Sequence, residues 1–270
     1  MTATSVAETA VDQAATRLLD AQSTGTPCAP VRDLIGPADV DRAYAVQERL
    51  TAARLASGAT IVGRKIGLTS PAVQQQLGVD RPDFGVLFDD MDVAAGGVAP
   101  MARLLQPKVE AEIAFVLAED LDRDDLDVDT VRSAVEYAVA ALEIVDSRIA
   151  GWDITYGDTV ADNASSGLYV LGEQRVSLEE FTPVDAEMSM SIDGEVVSTG
   201  NGAACLGDPL AALVWLARTA REVGTPLRAG QVVLSGALGP MVAVTAGAHV
   251  SAEISGLGTV TVDFSGEDQA

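Results

Sequence analysis

The sequence predicts an α+β fold with a mixed or antiparallel sheet. Three observations lead there. Stretches with strand character crowd into the C-terminal half with few helices between them, which argues against a doubly wound parallel sheet. Asp193-Gly194 separates two short alternating runs, a two-residue hairpin signal. Helical spacing is concentrated before residue 58, and no repeat or low-complexity linker divides the chain. The chain reads as one unit over residues 1–270, with a helical N-terminal lobe at about 1–58 and a β-rich body at about 59–266.

In chain order, residues 5–21 carry Val11, Ala14, Ala15 and Leu18 at helical spacing. Residues 37–57 repeat the pattern with Val40, Tyr44 and Leu50, between Pro37 at the start and Gly58 at the stop. Both should be amphipathic surface helices. A β-branched run over 60–68 then reads as a strand, and Ser70-Pro71 opens a short helix ending at Gly78. Further strands are expected at 108–118, 141–146, 167–171, 188–192, 195–199, 231–235, 241–245, 249–254 and 259–264. Helices are expected at about 129–140 and at 209–223, the second opened by Asp208-Pro209 and closed by Gly224.

The composition excludes several classes of function. Seventeen Lys and Arg against forty Asp and Glu give a net charge of −23, a field that repels phosphate backbones and anionic lipid surfaces. Nucleic-acid and membrane partners are therefore not expected. No apolar run approaches the roughly 20 residues that span a bilayer. The first 25 residues lack a basic n-region and an apolar h-region, so a cytoplasmic location is expected. Cys28 and Cys205 are too few for a disulfide framework or a thiolate zinc site. An acidic protein acting on an anionic substrate needs a local positive centre, which directs attention to a bound metal or a sheltered Lys.

Several motif readings fail. Gly200-Asn-Gly202 would need a third glycine where Cys205 stands, and Gly207 is followed by Asp208 where a P-loop needs Lys. The acidic run 119–129 has Asp125 where a calcium loop needs Gly and Val131 where it needs Glu, so it reads as a solvated loop. His249 is the only histidine and sits beside a turn, where a surface role is expected.

The informative segment is Lys108-Val-Glu110-Ala-Glu112-Ile-Ala-Phe-Val-Leu. In a strand, Val109, Ala111, Ile113, Phe115 and Leu117 form an apolar face, and Lys108, Glu110 and Glu112 share the other. The two carboxylates then stand side by side, their α-carbons roughly 6.8 Å apart, and repel unless a cation lies between them. A solvent-facing acidic strand is the alternative. Glu143 lies in the apolar run Ala138-Val-Ala-Ala-Leu-Glu143-Ile-Val and needs a partner if buried. Three carboxylates without cysteine or histidine form a hard oxygen site suited to Mg²⁺ or Mn²⁺. Arg148 is the alternative partner for Glu143.

Lys65 shares its strand face with Ile61, Gly63 and Gly67, which leaves space for a small ligand beside the ammonium; a surface Lys is the alternative. Asp83, in Arg81-Pro-Asp83-Phe-Gly, is either a second acid–base group or a turn former.

Gly63-Arg-Lys65-Ile-Gly-Leu-Thr-Ser, Val73-QQQLGVDRPDFGVLF, Gln106-Pro-Lys-Val-Glu110-Ala-Glu112-Ile-Ala, Ala141-Leu-Glu143-Ile-Val, Asp158-Thr-Val-Ala-Asp-Asn-Ala-Ser165-Ser-Gly and Leu234-Ser-Gly-Ala-Leu-Gly-Pro-Met-Val together resemble the 2-keto-4-pentenoate hydratase family of the fumarylacetoacetate hydrolase superfamily. The resemblance runs from about residue 30 to residue 264. It implies an α+β fold with a mixed, largely antiparallel sheet core of the fumarylacetoacetate hydrolase type. It further implies a divalent metal, Mg²⁺ or Mn²⁺, on Glu110, Glu112 and Glu143, with Lys65 and Asp83 at the family's acid–base positions and Ser165 near the substrate.

The implied activity is a metal-dependent hydro-lyase adding water to a 2-hydroxy-2,4-dienoate in the meta-cleavage breakdown of aromatic compounds. A homo-oligomer, possible association with neighbouring pathway enzymes and a small anionic substrate follow from the same resemblance. The 4-oxalocrotonate decarboxylases, which resemble the hydratases closely, are the first alternative, and a non-catalytic assembly partner is the second. Hydrolases of the superfamily use a histidine-activated water, and no histidine precedes position 249.

Overall fold

The computed structural model describes residues 3–70, 74 and 79–266. Three helices open it: α1 (Ala3–Thr24), α2 (Arg32–Ile35) and α3 (Val40–Ala56). Asp39 caps α3 by accepting from Arg42 N at 3.1 Å, which is why the helix starts three residues beyond Pro37. The apolar stripe of α1, Val11, Ala14, Ala15 and Leu18, is buried with Ile35, Ala43, Val46 and Val160 in a core of its own. The short helix expected between Ser70-Pro71 and Gly78 lies outside the described residues, Gln74 excepted.

The strands are β1 (Ile61–Gly67), β2 (Asp83–Phe88), β3 (Asp92–Val93), β4 (Val98–Ala99), β5 (Lys108–Leu117), β6 (Val135–Val145), β7 (Ser166–Leu171), β8 (Glu187–Ile192), β9 (Glu195–Asn201), β10 (Val232–Ala237), β11 (Val242–Ala243), β12 (His249–Ile254) and β13 (Gly258–Phe264). One eight-stranded sheet runs β2-β1-β10-β5-β6-β7-β3, with β11 also on β5, and a five-stranded sheet runs β4-β13-β12-β8-β9. Most pairings are antiparallel; β1–β10, β3–β7 and β4–β13 are parallel. The mixed sheet expected from the sequence is therefore present. The smaller sheet packs through β12 and β13 against β6.

Helices α4 (Val128–Ala134), α5 (Tyr156–Ala161) and α6 (Pro209–Glu222) complete the fold. Asp208 caps α6 by accepting from Leu210 N at 2.8 Å, and its buried stripe, including Leu213 and Ala217, rests beside β10. No helix among the described residues is long and apolar enough to cross a membrane.

Three expectations need correction. The helix expected over 129–140 ends at Ala134, and residues 135–140 belong to β6. Their pairing with β5, from Leu117↔Val135 to Ile113↔Ala140, satisfies a central ladder that a helix would leave open. Residues 83–88, where the sequence predicts no strand, form a fully buried one, so the turn-forming alternative for Asp83 does not hold. The strand expected over 241–245 is reduced to Val242–Ala243.

Candidate active site

The sheet pleat puts three carboxylates together. Glu110 and Glu112 project from the same face of β5, and the β5–β6 register sets Glu110 directly opposite Glu143. One carboxylate oxygen of each lies within 4.8 Å of the others. Glu112 and Glu143 are 0% and 1% exposed, while Glu110 is half-buried. Gly236 N donates to Glu112 Oε2 at 2.7 Å. Glu112 Oε1 and Glu143 Oε2 have no protein partner. Burial and the Glu143 charge push Glu110 up to about 7, and burial with both neighbours raises Glu112 well above the carboxylate range. Buried, partly unpartnered oxygens on converging acids fit a hard divalent cation.

Lys65, on β1, answers part of that charge. Its Nζ lies 2.8 Å from Glu143 Oε1 in a buried ion pair. Burial works against the ammonium, but Glu143, Asp83 and Glu110 outweigh it and its pKa is raised. Asp83 opposes Gly67 across the β1–β2 ladder. Burial pushes its carboxyl up to about 6 despite the Lys65 charge, and its Oδ1 has no hydrogen-bond partner.

The glycines beside Lys65 serve a different end from the open space expected. A Cβ on Gly67 would lie 2.2 Å from Asp83 Oδ1, and one on Gly63 would lie 2.0 Å from the Val232 carbonyl oxygen. Gly67 thus makes room for Asp83 itself, and Gly63 admits the neighbouring strand. Arg148 does not serve Glu143. Its Nε donates to Asp162 Oδ1 at 2.5 Å, and its Nη1 and Nη2 donate to the Ser166 and Asp162 carbonyls.

Ser165, 4% exposed, sits in a turn of three consecutive residues with left-handed backbones: Asn163 (φ 55°), Ala164 (51°) and Ser165 (53°). Each non-glycine residue held there costs about 1 kcal/mol, so the surroundings must enforce it. Asn163 clasps β2, accepting from Val86 N at 2.8 Å and donating to Val86 O at 2.9 Å. Arg148 holds the turn from the other side. The Ser165 hydroxyl lies 3.2 Å from Thr159 Oγ1. Sequence reasoning missed Thr159, Asn163 and the Arg148–Asp162 pair. The one signal was the density of small polar residues in the 158–167 segment, which does not say which side chains turn inward.

The remaining charged side chains make other contacts. Lys108 Nζ stands 4.2 Å over the Trp152 ring. Arg64 is buried on the opposite strand face, donating to Gly63 O. His249 pairs with Asp263 on the surface, as its position suggested. The 119–129 run is largely exposed and pairs with Arg221 and Arg228, as a solvated loop does.

The family model described as fumarylacetoacetate (FAA) hydrolase C-terminal matches residues 61–265. The 2-keto-4-pentenoate hydratase of Paraburkholderia xenovorans (strain LB400) is 54% identical over 253 residues, 94% of each chain. That of Burkholderia vietnamiensis (strain G4 / LMG 22486) is 55% identical over 250 residues, 93% of this chain and 95% of its own. The chain belongs to the 2-keto-4-pentenoate hydratase family of the fumarylacetoacetate hydrolase superfamily. Among solved structures, the 4-oxalocrotonate decarboxylase of Pseudomonas putida G7, complexed with magnesium and adipate, superposes with a TM-score of 0.90 at 33% identity over 98% of both chains.

Proposed function

We propose that the chain is a divalent-metal-dependent hydratase that converts a 2-hydroxy-2,4-dienoate into a 4-hydroxy-2-oxoacid. The observation that carries the reading is the convergence of Glu110, Glu112 and Glu143 beside the buried Lys65 and Asp83. The three glutamates would hold Mg²⁺ or Mn²⁺. Such an ion supplies charge neutralisation for a substrate that chelates through its carboxylate and 2-oxygen, so an anion becomes tolerable in this acidic protein. The substrate class follows the hydratase relatives at 54–55% identity.

The proton movements fall to the chain's own residues. The 2-hydroxyl proton is lost and C5 is protonated, giving a conjugated 2-oxo-3-enoate. Water then adds at C4, and protonation at C3 completes the product; the sum is substrate plus one water. Lys65 stays an ammonium in its ring of carboxylates, so it donates a hydrogen bond to the developing oxyanion and passes protons on. Asp83, at about 6, is ionised at neutral pH yet close enough to it to return a proton, the balance a group needs to orient and deprotonate water. Ser165 stands at the substrate's edge. The active form is a homo-oligomer.

The decarboxylase reading has one observation in its favour, the close superposition at 33% identity. Purified enzyme given 2-hydroxypenta-2,4-dienoate or a C5-alkyl homologue should abolish the dienol ultraviolet band. Evolution of CO₂ from a 2-oxohexenedioate, without turnover of the monocarboxylate, would favour the decarboxylase instead.

A further inference from the structure

We propose that Gln47 is a positioning residue for Asp83: its side-chain amide, together with the Tyr156 hydroxyl, holds the backbone carbonyls on either side of Asp83, so that the helical lobe sets where this carboxyl stands. The inference rests on the reading of Asp83 as an acid–base group.

β2 is an edge of the eight-stranded sheet, with β1 on one side and no strand on the other. In an antiparallel pair alternate residues turn their backbone groups away from the partner, and at an edge those groups have no ladder. Side chains from the helical part of the chain stand in for the missing strand. Gln47, on α3, donates from Nε2 to the Phe84 carbonyl at 2.9 Å and to the Val160 carbonyl of α5 at 3.0 Å. Tyr156, at the start of α5, donates from its hydroxyl to the Pro82 carbonyl at 3.0 Å. Asn163 takes the next outward groups, the Val86 N–H and carbonyl. Tyr44, one turn before Gln47, stacks its ring on Phe84 with centroids 4.8 Å apart.

Both partners of Gln47 are carbonyls, so only the amide NH₂ fits there and both of its hydrogens are used. These bonds are buried, and losing the donor strands two carbonyls away from water. Asp83 depends on such a clamp. It is the first residue of β2, the end at which a strand frays. Its Oδ1 has no hydrogen-bond partner, so no such bond locates that oxygen. Its placement falls to the backbone, through the pairing with Gly67 on one side and through Gln47 and Tyr156 on the other. The three glutamates stand on β5 and β6, which these bonds do not touch.

The test compares Gln47→Met, which keeps an unbranched side chain of similar length and removes the donors, in the parent and in Asp83→Asn. In the parent it should lower kcat roughly tenfold to a hundredfold, the scale of a small misplacement of a reacting group, with KM and Mg²⁺ affinity little changed. In the Asp83→Asn background it should cost less than about twofold. Val46→Ala, on the neighbouring residue of α3 and buried in the helical core, should lower Tm while leaving kcat below Tm unchanged. An equal cost of Gln47→Met in both backgrounds, or an equal loss of kcat in Val46→Ala, would reduce Gln47 to a packing residue while leaving the hydratase reading intact. Full activity of Asp83→Asn alone would instead overturn the role of Asp83, and this proposal with it. Should Gln47→Met fail to fold, Tyr156→Phe, which removes one bond only, carries the same comparison with a several-fold loss expected in the parent and none in Asp83→Asn.

Discussion

At the scale of single residues, the proposed acid–base role of Asp83 sets function against stability. Its folded carboxyl titrates at about 6 against an ordinary 3.8, so the folded state holds the proton to higher pH than the unfolded chain. Stability is lost as pH rises through that window, by about 3 kcal/mol in total. Asp83→Asn removes the penalty. Relative to the parent, its stability should improve by up to about 3 kcal/mol between pH 4 and 7, while turnover falls roughly 10²–10⁴-fold. Denaturant melts across that range check the first part; a difference that does not change with pH contradicts it. Lys65→Ala should lower kcat on the same scale while changing metal affinity far less, as calorimetric titration with Mg²⁺ would show. A loss of only a few-fold would make Lys65 structural.

At the scale of elements, the two glycines of β1 separate chemistry from folding. Gly67→Ala intrudes on the Asp83 carboxylate, the end of a side chain, whereas Gly63→Ala meets the backbone of β10. The first should cost mainly kcat and the second mainly Tm; the reverse pattern would mean that these glycines have been misread. The same elements show what sequence could and could not reveal. The alternation in β5 was legible because one face is wholly apolar and the other holds Lys108, Glu110 and Glu112, and the β5–β6 register then brought Glu143 to the carboxylate cluster. β6 was half misread, since Val135 to Ala140 satisfies either period and only pairing with β5 decides. β2 was missed because Pro82 and Gly85 look like turn residues, while Gly85 is small to admit the Asn163 turn. The positions of Asn163 and Ser165 depend on left-handed backbone that no local spacing announces.

At the scale of the whole molecule, a chain of net charge −23 repels anionic substrates at long range. The buried acids, unpartnered at Glu112 Oε1 and Glu143 Oε2, make the divalent cation a structural as well as a chemical component. Saturating Mg²⁺ or Mn²⁺ should therefore raise Tm by mass action, and Glu143→Gln should abolish most of that rise. Chelation should stop turnover and either ion should restore it, as a continuous ultraviolet assay would record. Full activity in metal-free protein would sink the assignment. The central claim, hydration at this site, is tested most directly by running the reaction on 2-hydroxypenta-2,4-dienoate in ¹⁸O-labelled water with Mg²⁺ or Mn²⁺ and locating the label by mass-spectrometric fragmentation. One labelled oxygen bonded to C4, with no CO₂ released, is the predicted result. A product without oxygen from solvent at C4 would contradict it.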